Sequence, residues 1–157
     1  MTGWRIGYAF GNLDIIKAMS KIQGQATSCA NSIGQAASIE ALVGDQSTVD
    51  EMIVVFKHRR DYMVKLLNDL PMVECLIPGG AFYAFPSFEY YIGKKYKNKI
   101  IKDSFDLCEI FLNEAHVATI PGDGFGAPGY VRFSYAIDDK TIKDGLERIE
   151  KIIKVIE

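Results

Sequence analysis

The sequence predicts an α+β fold in which helices pack against one small sheet. In the first third of the chain, apolar residues recur with a period near 3.6, which is typical of amphipathic helices. From residue 72 onward, short runs rich in aromatic and β-branched residues alternate with further helical segments. Helices layered on one small sheet satisfy both patterns.

The composition indicates one globular chain with a core of its own and no polyanionic partner. Of 157 residues, 48% are hydrophobic and 24% are charged, and the formal net charge is −2. That charge gives no reason to expect nucleic acid or an anionic membrane as a partner. The longest apolar run, residues 52–56, is far below the roughly 20 residues of a membrane span.

The cysteines and the N-terminus favour a cytoplasmic protein. Cys29, Cys75 and Cys108 are odd in number and lack a metal-ligand spacing. We therefore expect free thiols in a reducing compartment. The N-terminus has no apolar core of a secretory signal.

The chain begins with a short strand and a helix. Residues 4–9 are predicted as a strand. Asn12 is a suitable N-cap for a helix whose apolar residues share one face until Gly24 ends it. Residues 25–31 are polar and are predicted as a loop.

Two capping boxes predict the next two helices. Residues 32–35 (Ser-Ile-Gly-Gln) pair a hydroxyl and an amide at the spacing that satisfies two free N–H groups. The helix that they open ends near Gly44. Residues 48–51 (Thr-Val-Asp-Glu) open the longest helix, which extends to Pro71.

After this helix the pattern changes to strands and turns. Residues 72–77 and 81–85 are predicted as strands on either side of a turn at residues 78–80. The basic, tyrosine-rich segment 90–99 is predicted as a mobile loop.

A helix and two further strands follow. Asp103 or Ser104 caps the helix. Its inward side chains are expected to be Phe105, Cys108, Phe111, Leu112 and Ala115. Residues 117–120 and 130–136 are predicted strands, joined by a glycine-rich loop at 121–129.

A last amphipathic helix closes the chain. Asp138 or Asp139 caps it. Its apolar positions are 142, 146, 149, 153 and 156. This spacing predicts one buried face.

Two arginines have settings that suit an anion. Arg5 lies between Gly3 and Gly7, which allow the backbone to turn sharply or approach a ligand closely. Arg132 shares a strand face with Ser134. The arginine fork donates two parallel hydrogen bonds to a phosphate or carboxylate. The residues alone leave open that Arg5 is an ordinary surface arginine and that Arg132 lies on an edge strand.

Three segments resemble one family in the same order. Residues 1–8 (Met-Thr-Gly-Trp-Arg-Ile-Gly-Tyr) resemble the segment just after the Schiff-base lysine of class I/II aminotransferases. These are aspartate aminotransferase-like, pyridoxal-phosphate enzymes of fold type I. Residues 78–86 (Pro-Gly-Gly-Ala-Phe-Tyr-Ala-Phe-Pro) and 129–136 (Gly-Tyr-Val-Arg-Phe-Ser-Tyr-Ala) are similar to two later segments of that family.

The resemblance implies a domain division and three site residues. Residues 1–45 would be a helical remnant of the large, cofactor-binding domain, and residues 46–157 the C-terminal small domain. Arg5 would bind the phosphate of pyridoxal 5'-phosphate, and Arg132 the α-carboxylate of the substrate. Phe82 would line the substrate pocket.

The same resemblance implies amino-group transfer from an amino acid such as aspartate to a 2-oxo acid. The catalytic lysine is expected upstream of Met1, so no catalytic residue is assigned. We expect the chain alone to be inactive. Its implied partners are these substrates and either further copies of itself or an N-terminal half. Open alternatives are a non-catalytic dimerisation or binding module, a related lyase, and an aminotransferase-like domain of a transcription factor.

Overall fold

The chain folds into helices and short strands, as the sequence predicts. A computed structural model describes residues 3–157. Within these residues the helices are α1 (Leu13–Thr27), α2 (Ser32–Val43), α3 (Ser47–Asn68), α4 (Ser104–Ala115) and α5 (Asp139–Ile153). The strands are β1 (Tyr83–Ala84), β2 (Lys95–Tyr96), β3 (Lys99–Ile100), β4 (Ile120–Pro121) and β5 (Val131–Ser134). The chain divides into two units between Glu51 and Met52.

Helix α1 has the predicted N-cap but extends further than predicted. The Asn12 side chain accepts hydrogen bonds from the backbone N–H groups of Asp14 at 2.9 Å and Ile15 at 3.4 Å. Gly24 does not end the helix, which continues to Thr27. A single glycine costs a helix interior only about 1 kcal/mol, which does not terminate it.

The strand predicted over residues 4–9 is wrong. These residues have no regular secondary structure. Arg5 has a φ of 53°, in the left-handed region, which is incompatible with an extended strand. The described part of the first unit also contains no strand with which this segment could pair.

The capping box predicted at residues 32–35 is wrong by one residue. Asn31, not Ser32, caps α2, and its side chain accepts a hydrogen bond from the N–H of Gly34 at 2.6 Å. Gln35 instead donates from its side chain to the Ala30 carbonyl at 2.7 Å. Asparagine is as good a cap as serine, and its position decides the start of the helix.

Helix α3 is the longest helix, as predicted, but it begins before the predicted box. The Asp45 carboxylate accepts hydrogen bonds from both the N–H and the hydroxyl of Ser47, at 3.0 and 2.5 Å. The helix therefore starts at Ser47 rather than Thr48 and ends at Asn68. Gly44 ends α2 close to the predicted place.

The strand predicted over residues 72–77 is reduced to one bridge. The Asn68 side chain accepts from the Cys75 N–H at 2.8 Å and donates to the Cys75 carbonyl at 3.0 Å. This amide therefore occupies the backbone groups that a neighbouring strand would use. Only Glu74 pairs with another extended residue, Ser87.

The mobile loop predicted over residues 90–99 is also wrong. The segment contains a short 3-10 turn and strand β2, which pairs with β3. Tyr91 and Tyr96 are buried in the core. Lys97 forms an ion pair with Glu114 of α4 at 2.8 Å. Buried aromatic rings therefore fix a segment whose charged residues suggested mobility.

Helix α4 has the predicted cap at Asp103 but buries a different set of side chains. The buried hydrophobic residues are Leu107, Cys108, Ile110, Phe111 and Ala115. Phe105 and Leu112, predicted to point inward, are exposed. The helix is apolar on both sides, and only the face packed on the core excludes water.

The predicted strands 81–85, 117–120 and 130–136 are present but short. They correspond to β1, β4 and β5, which form one antiparallel sheet in the order β1–β5–β4. Each outer strand pairs with β5 over only two residues.

Strand β5 is the centre of this sheet, and its two faces differ as predicted. Val131 and Phe133 are buried in the core, whereas Arg132 and Ser134 are half-buried on the other face. Ser134 is opposite Tyr83 of β1 in the register. Arg132 therefore lies on an interior strand, and the edge-strand alternative is excluded.

Helix α5 matches its prediction. Asp138 caps it by accepting a hydrogen bond from the Thr141 N–H at 3.0 Å. The buried residues of this helix are Ile142, Gly145, Leu146, Ile149 and Ile153. Together with α4, the second half of α3 and the inner face of β5, they form the core of the second unit.

The described part of the first unit buries no hydrophobic side chain. Gly34 is its single buried residue. Its exposed large hydrophobic residues include Tyr8, Phe10, Leu13, Ile15, Ile22, Ile33, Ile39, Leu42 and Val43. Among the described helices, none combines the length and apolar character that a bilayer crossing requires.

The two faces of α4 predict different costs of mutation. Leu107 is fully buried, whereas Leu112 on the same helix is 52% exposed. We expect Leu107→Ala to lower the free energy of unfolding by about 2–5 kcal/mol. Leu112→Ala should change it by no more than about 0.5 kcal/mol. Urea unfolding of the two variants measures the difference, and equal losses would contradict the assigned core.

Candidate functional site

Arg132 lies between two aromatic rings. Its guanidinium carbon is 4.3 Å from the ring centroid of Tyr83 and 4.9 Å from that of Phe125. Both distances are within the range of attractive cation–π contact. Among residues 3–157, no carboxylate forms an ion pair with Arg132 and no acceptor forms a hydrogen bond with its side chain. Its charge is therefore available to an external anion.

Phe82, which precedes β1 and packs against the core, contacts the ring of Tyr83. The rings of Phe82 and Tyr83 are 4.4 Å apart and tilted. Because Tyr83 pairs with Ser134, it is diagonal to Arg132 on the same face. Two residues predicted from the sequence, Phe82 and Arg132, are thus linked through a third that the sequence analysis did not single out.

Phe125 is the second residue that the sequence analysis missed. It lies in the glycine-rich loop after β4, in a 3-10 turn over Gly122–Phe125. The available signal was its place in the Pro-Gly-x-x-Phe-Gly run at residues 121–126. A phenylalanine that is 56% exposed near an unpaired arginine is a candidate for a contact with that arginine.

The loop that carries Phe125 is fixed by Ser104 and Asp123. The Asp123 carboxylate accepts a hydrogen bond from the Ser104 N–H at 3.0 Å and a second one from its hydroxyl. The Asp123 N–H donates to the Ser104 hydroxyl at 3.2 Å. A Cβ atom at Gly122 would clash with the carbonyl oxygen of Ala127. The loop is therefore closely packed at Gly122.

Arg5 belongs to the first unit and has a different environment. It is exposed, and within the described residues its side chain has no hydrogen bond or ion pair. The positive φ values of Gly3 (90°) and Arg5 (53°) give this segment a sharp turn. The residues that follow, Ile6 to Tyr8, border an apolar cavity of about 650 Å³ within the first unit.

The other titratable side chains do not form a second reactive centre. Burial raises the pKa of the Cys75 and Cys108 thiols, so both are protonated at neutral pH. The exposed His58 lies within hydrogen-bond distance of Asp139, with 2.8 Å between His58 Nε2 and Asp139 Oδ2. His116 follows the last residue of α4 with a left-handed backbone conformation, and its N–H donates to the Phe111 carbonyl. The part of the chain that the structure describes contains no cluster of metal-ligating side chains.

Comparison with known families identifies the class of protein to which this sheet and its arginine belong. A family model described as aminotransferase class I and II matches residues 1–149. The chain belongs to the class I and II aminotransferase family.

Individual relatives agree with this family. An aspartate aminotransferase of Streptomyces avermitilis is 42% identical over 153 residues, which are 98% of this chain and 38% of that protein. One of Rhizobium meliloti strain 1021 is 47% identical over 150 residues, 95% of this chain and 37% of that protein. The chain therefore spans less than two fifths of the length of these relatives.

Solved structures extend the similarity to the fold. The crystal structure of the aspartate aminotransferase from Rhizobium meliloti aligns with a TM-score of 0.89 and 44% identity, over 100% of this chain and 40% of that one. An aromatic aminotransferase from Pyrococcus horikoshii aligns with a TM-score of 0.83 and 34% identity, over 98% and 40%. The α+β fold predicted from the sequence is confirmed.

The Ser104–Asp123 contact predicts a specific pH dependence of stability. Hydrogen bonds from Ser104 lower the pKa of the Asp123 carboxyl. Such a group stabilises the fold above its unfolded pKa of about 3.9, and the contribution disappears as the pH falls through the lower folded value. Asp123→Asn should therefore lower the melting temperature at neutral pH, and the difference from the wild type should shrink in strong acid.

Asp69→Asn is the matched control for this prediction. Asp69 is exposed, and within residues 3–157 no hydrogen bond to its side chain is present. The melting temperature of Asp69→Asn should equal that of the wild type at each pH. Thermal unfolding monitored by circular dichroism from neutral to strongly acidic pH measures all three proteins. A pH-independent effect of Asp123→Asn would contradict the assigned carboxylate contact.

Proposed function

We propose that this chain forms the C-terminal part of a pyridoxal-phosphate-dependent aminotransferase. In this assignment it supplies two anion-binding arginines, Arg5 for the cofactor phosphate and Arg132 for the substrate α-carboxylate. The observation that carries the proposal is the unpaired guanidinium of Arg132 on β5, the central strand of the three-stranded sheet. Residues 1–45 then represent the large domain and residues 46–157 the small domain.

Arg132 has the properties of a carboxylate-binding residue. Its guanidinium carries a permanent positive charge and presents N–H groups in a fixed fork that matches a carboxylate. It is half-buried, so an ion pair there is less screened by water than one on an open surface. Phe82, which contacts the neighbouring Tyr83 ring, offers an apolar wall for the substrate side chain.

Arg5 fits the anionic end of the proposed cofactor. Its exposed guanidinium has no partner among the described residues, and the turn at Gly3 exposes the backbone beside it. Pyridoxal phosphate, when bound, supplies an electron sink for the carbon next to the amino nitrogen. The chain's own contribution is to hold the phosphate and the substrate carboxylate, and the lysine that reacts with the cofactor is proposed to come from outside this chain.

The proposed reaction transfers an amino group from an amino acid to a 2-oxo acid in the cytoplasm. Aspartate is the proposed amino donor, because relatives at 42% and 47% identity are named aspartate aminotransferases. The proposed partners are these substrates and a second polypeptide surface, which is either another copy of the chain or an N-terminal half.

A second candidate is a non-catalytic dimerisation or binding module. The exposed apolar side chains of the first unit favour it, since Phe10 is 93% exposed and Tyr8 is 77% exposed. Both candidates require another polypeptide surface that covers these apolar side chains. Only the aminotransferase assignment requires anion binding by Arg5 and Arg132. Anion binding therefore separates the two.

Substitution of Arg132 tests the carboxylate site. We expect the chain to bind succinate and Arg132→Gln to weaken that binding at least about tenfold, because a charge-assisted hydrogen-bonded pair is lost. Arg148→Gln on α5 is the matched control, since Arg148 is exposed and lies on a helix outside the sheet. Isothermal titration or NMR titration measures the affinities. Equal binding by all three proteins would favour the non-catalytic module.

Substitution of Arg5 tests the phosphate site. Pyridoxal phosphate should bind more tightly than pyridoxal, which lacks the phosphate, and Arg5→Gln should remove most of that difference. Lys17→Gln on the exposed surface of α1 is the control and should preserve it. Equilibrium dialysis with both compounds gives the two affinities. A phosphate preference that survives in Arg5→Gln would contradict the assignment of Arg5.

A further inference from the structure

Arg132 is held by aromatic rings rather than by a counterion. We infer that Tyr83 and Phe125 are positioning residues that orient the Arg132 guanidinium for its carboxylate while leaving its N–H groups free. The inference rests on the proposed function, because it concerns how the carboxylate-binding arginine is kept ready. It adds to the site two residues, Tyr83 and Phe125, to which the sequence analysis assigned no role.

Aromatic rings suit this task because they attract a cation without neutralising it. The ring centroids are 4.3 Å and 4.9 Å from the guanidinium carbon, well within the roughly 6 Å limit of cation–π attraction. An aspartate or glutamate in the same place would occupy the N–H donors with its own oxygens. The two rings carry no such oxygen over the guanidinium, so all five N–H donors remain for the ligand.

Each ring is itself fixed by its neighbours. Tyr83 is held by the antiparallel pairing of β1 with β5 and by the ring of Phe82 at 4.4 Å. Phe125 contacts the ring of Phe85 edge-on, with the centroids 6.3 Å apart. The loop before it is held by the hydrogen bonds between Ser104 and Asp123. The guanidinium therefore contacts two rings that belong to different parts of the second unit.

This arrangement has a consequence for affinity. A free arginine side chain loses rotamer freedom when it binds a carboxylate, and that loss weakens binding. A side chain already ordered by two rings has lost much of this freedom during folding. Removal of one ring should therefore weaken carboxylate binding about two- to fivefold, the range of one cation–π contact at a partly exposed site.

The test compares ring removal with ring retention in the full chain. Tyr83→Leu and Phe125→Leu remove one ring each. Tyr83→Phe and Phe125→Tyr retain the ring; the Tyr83 hydroxyl has no hydrogen bond within residues 3–157, so its loss should be neutral. Phe105→Leu is the matched control, because Phe105 is 55% exposed and Phe125 is 56% exposed.

Two measurements are made on each variant. The first is 15N relaxation of the Arg132 Nε–H group, whose resonance is assigned by its absence in Arg132→Gln. The second is the dissociation constant for succinate. We expect both leucine variants to lower the order of the Nε–H group and to weaken succinate binding about two- to fivefold. The ring-retaining variants and Phe105→Leu should match the wild type.

The outcomes separate this inference from the proposed function. Leucine variants with an unchanged Nε–H order and unchanged succinate affinity overturn the positioning role and leave the carboxylate site intact. A lower melting temperature without a change in either measurement also overturns it, since the rings would then be merely structural. Succinate affinity that survives in Arg132→Gln overturns the carboxylate site and the positioning role with it.

Discussion

The structure of the second unit depends on the alternation of side chains along β5. This strand pairs with β1 through Phe133 and Ser134 and with β4 through Val131 and Arg132, so its register is fixed from both sides. Val131 and Phe133 point into the core, and this burial forces Arg132 and Ser134 to the opposite face. A shift of one residue would exchange the arginine with a core side chain, so the packing of the core also determines the position of the candidate site.

The loop after β4 completes the site from a second direction. It returns the chain from β4 to β5, and the Ser104–Asp123 hydrogen bonds fix it against the start of α4. Phe125 is thereby held over the guanidinium that β5 presents. Arg132 and its aromatic contacts thus come from strand β5, strand β1 and the loop that precedes β5.

The two units bury their apolar residues to very different extents. The second unit has a continuous core formed by α3, α4, α5 and the sheet. The described part of the first unit buries no hydrophobic side chain. Apolar surface of that extent is normally covered by another polypeptide surface. This is consistent with the short span of the chain relative to its relatives, 38% of the length of one of them.

Features encoded by neighbouring residues were predictable from the sequence. The cap at Asn12 was identified, and those at Asp103 and Asp138 were each one of two candidates, because a cap is decided by one side chain and the N–H groups two or three residues later. The two-faced character of β5 followed from strict alternation. The family resemblance then supplied roles for Arg5, Arg132 and Phe82, which stay predictions until anion binding is measured.

Features decided by distant contacts were not predictable. The strand expected at residues 72–77 is absent because the Asn68 amide binds the backbone of Cys75. The loop expected at residues 90–99 is a hairpin segment, because Tyr91 and Tyr96 fit into the core. The contact of Phe125 with Arg132 depends on the path of a whole loop. Sequence periodicity carries no information about such partners.

We propose that this chain contributes anion-binding arginines to an aminotransferase site. Complementation with the upstream part of the Rhizobium meliloti aspartate aminotransferase tests this proposal, because 44% identity and a TM-score of 0.89 make that enzyme a suitable partner. The corresponding C-terminal part of that enzyme serves as the positive control for assembly. Transfer of the amino group from aspartate to a 2-oxo acid is the readout.

We expect neither part to be active alone and the mixture to transfer amino groups. Activity should fall by at least about tenfold when the mixture contains Arg132→Gln, and it should be unchanged with Arg148→Gln. If the positive control assembles and this chain also assembles but gives no transfer, or transfer that is indifferent to Arg132, the claim is contradicted.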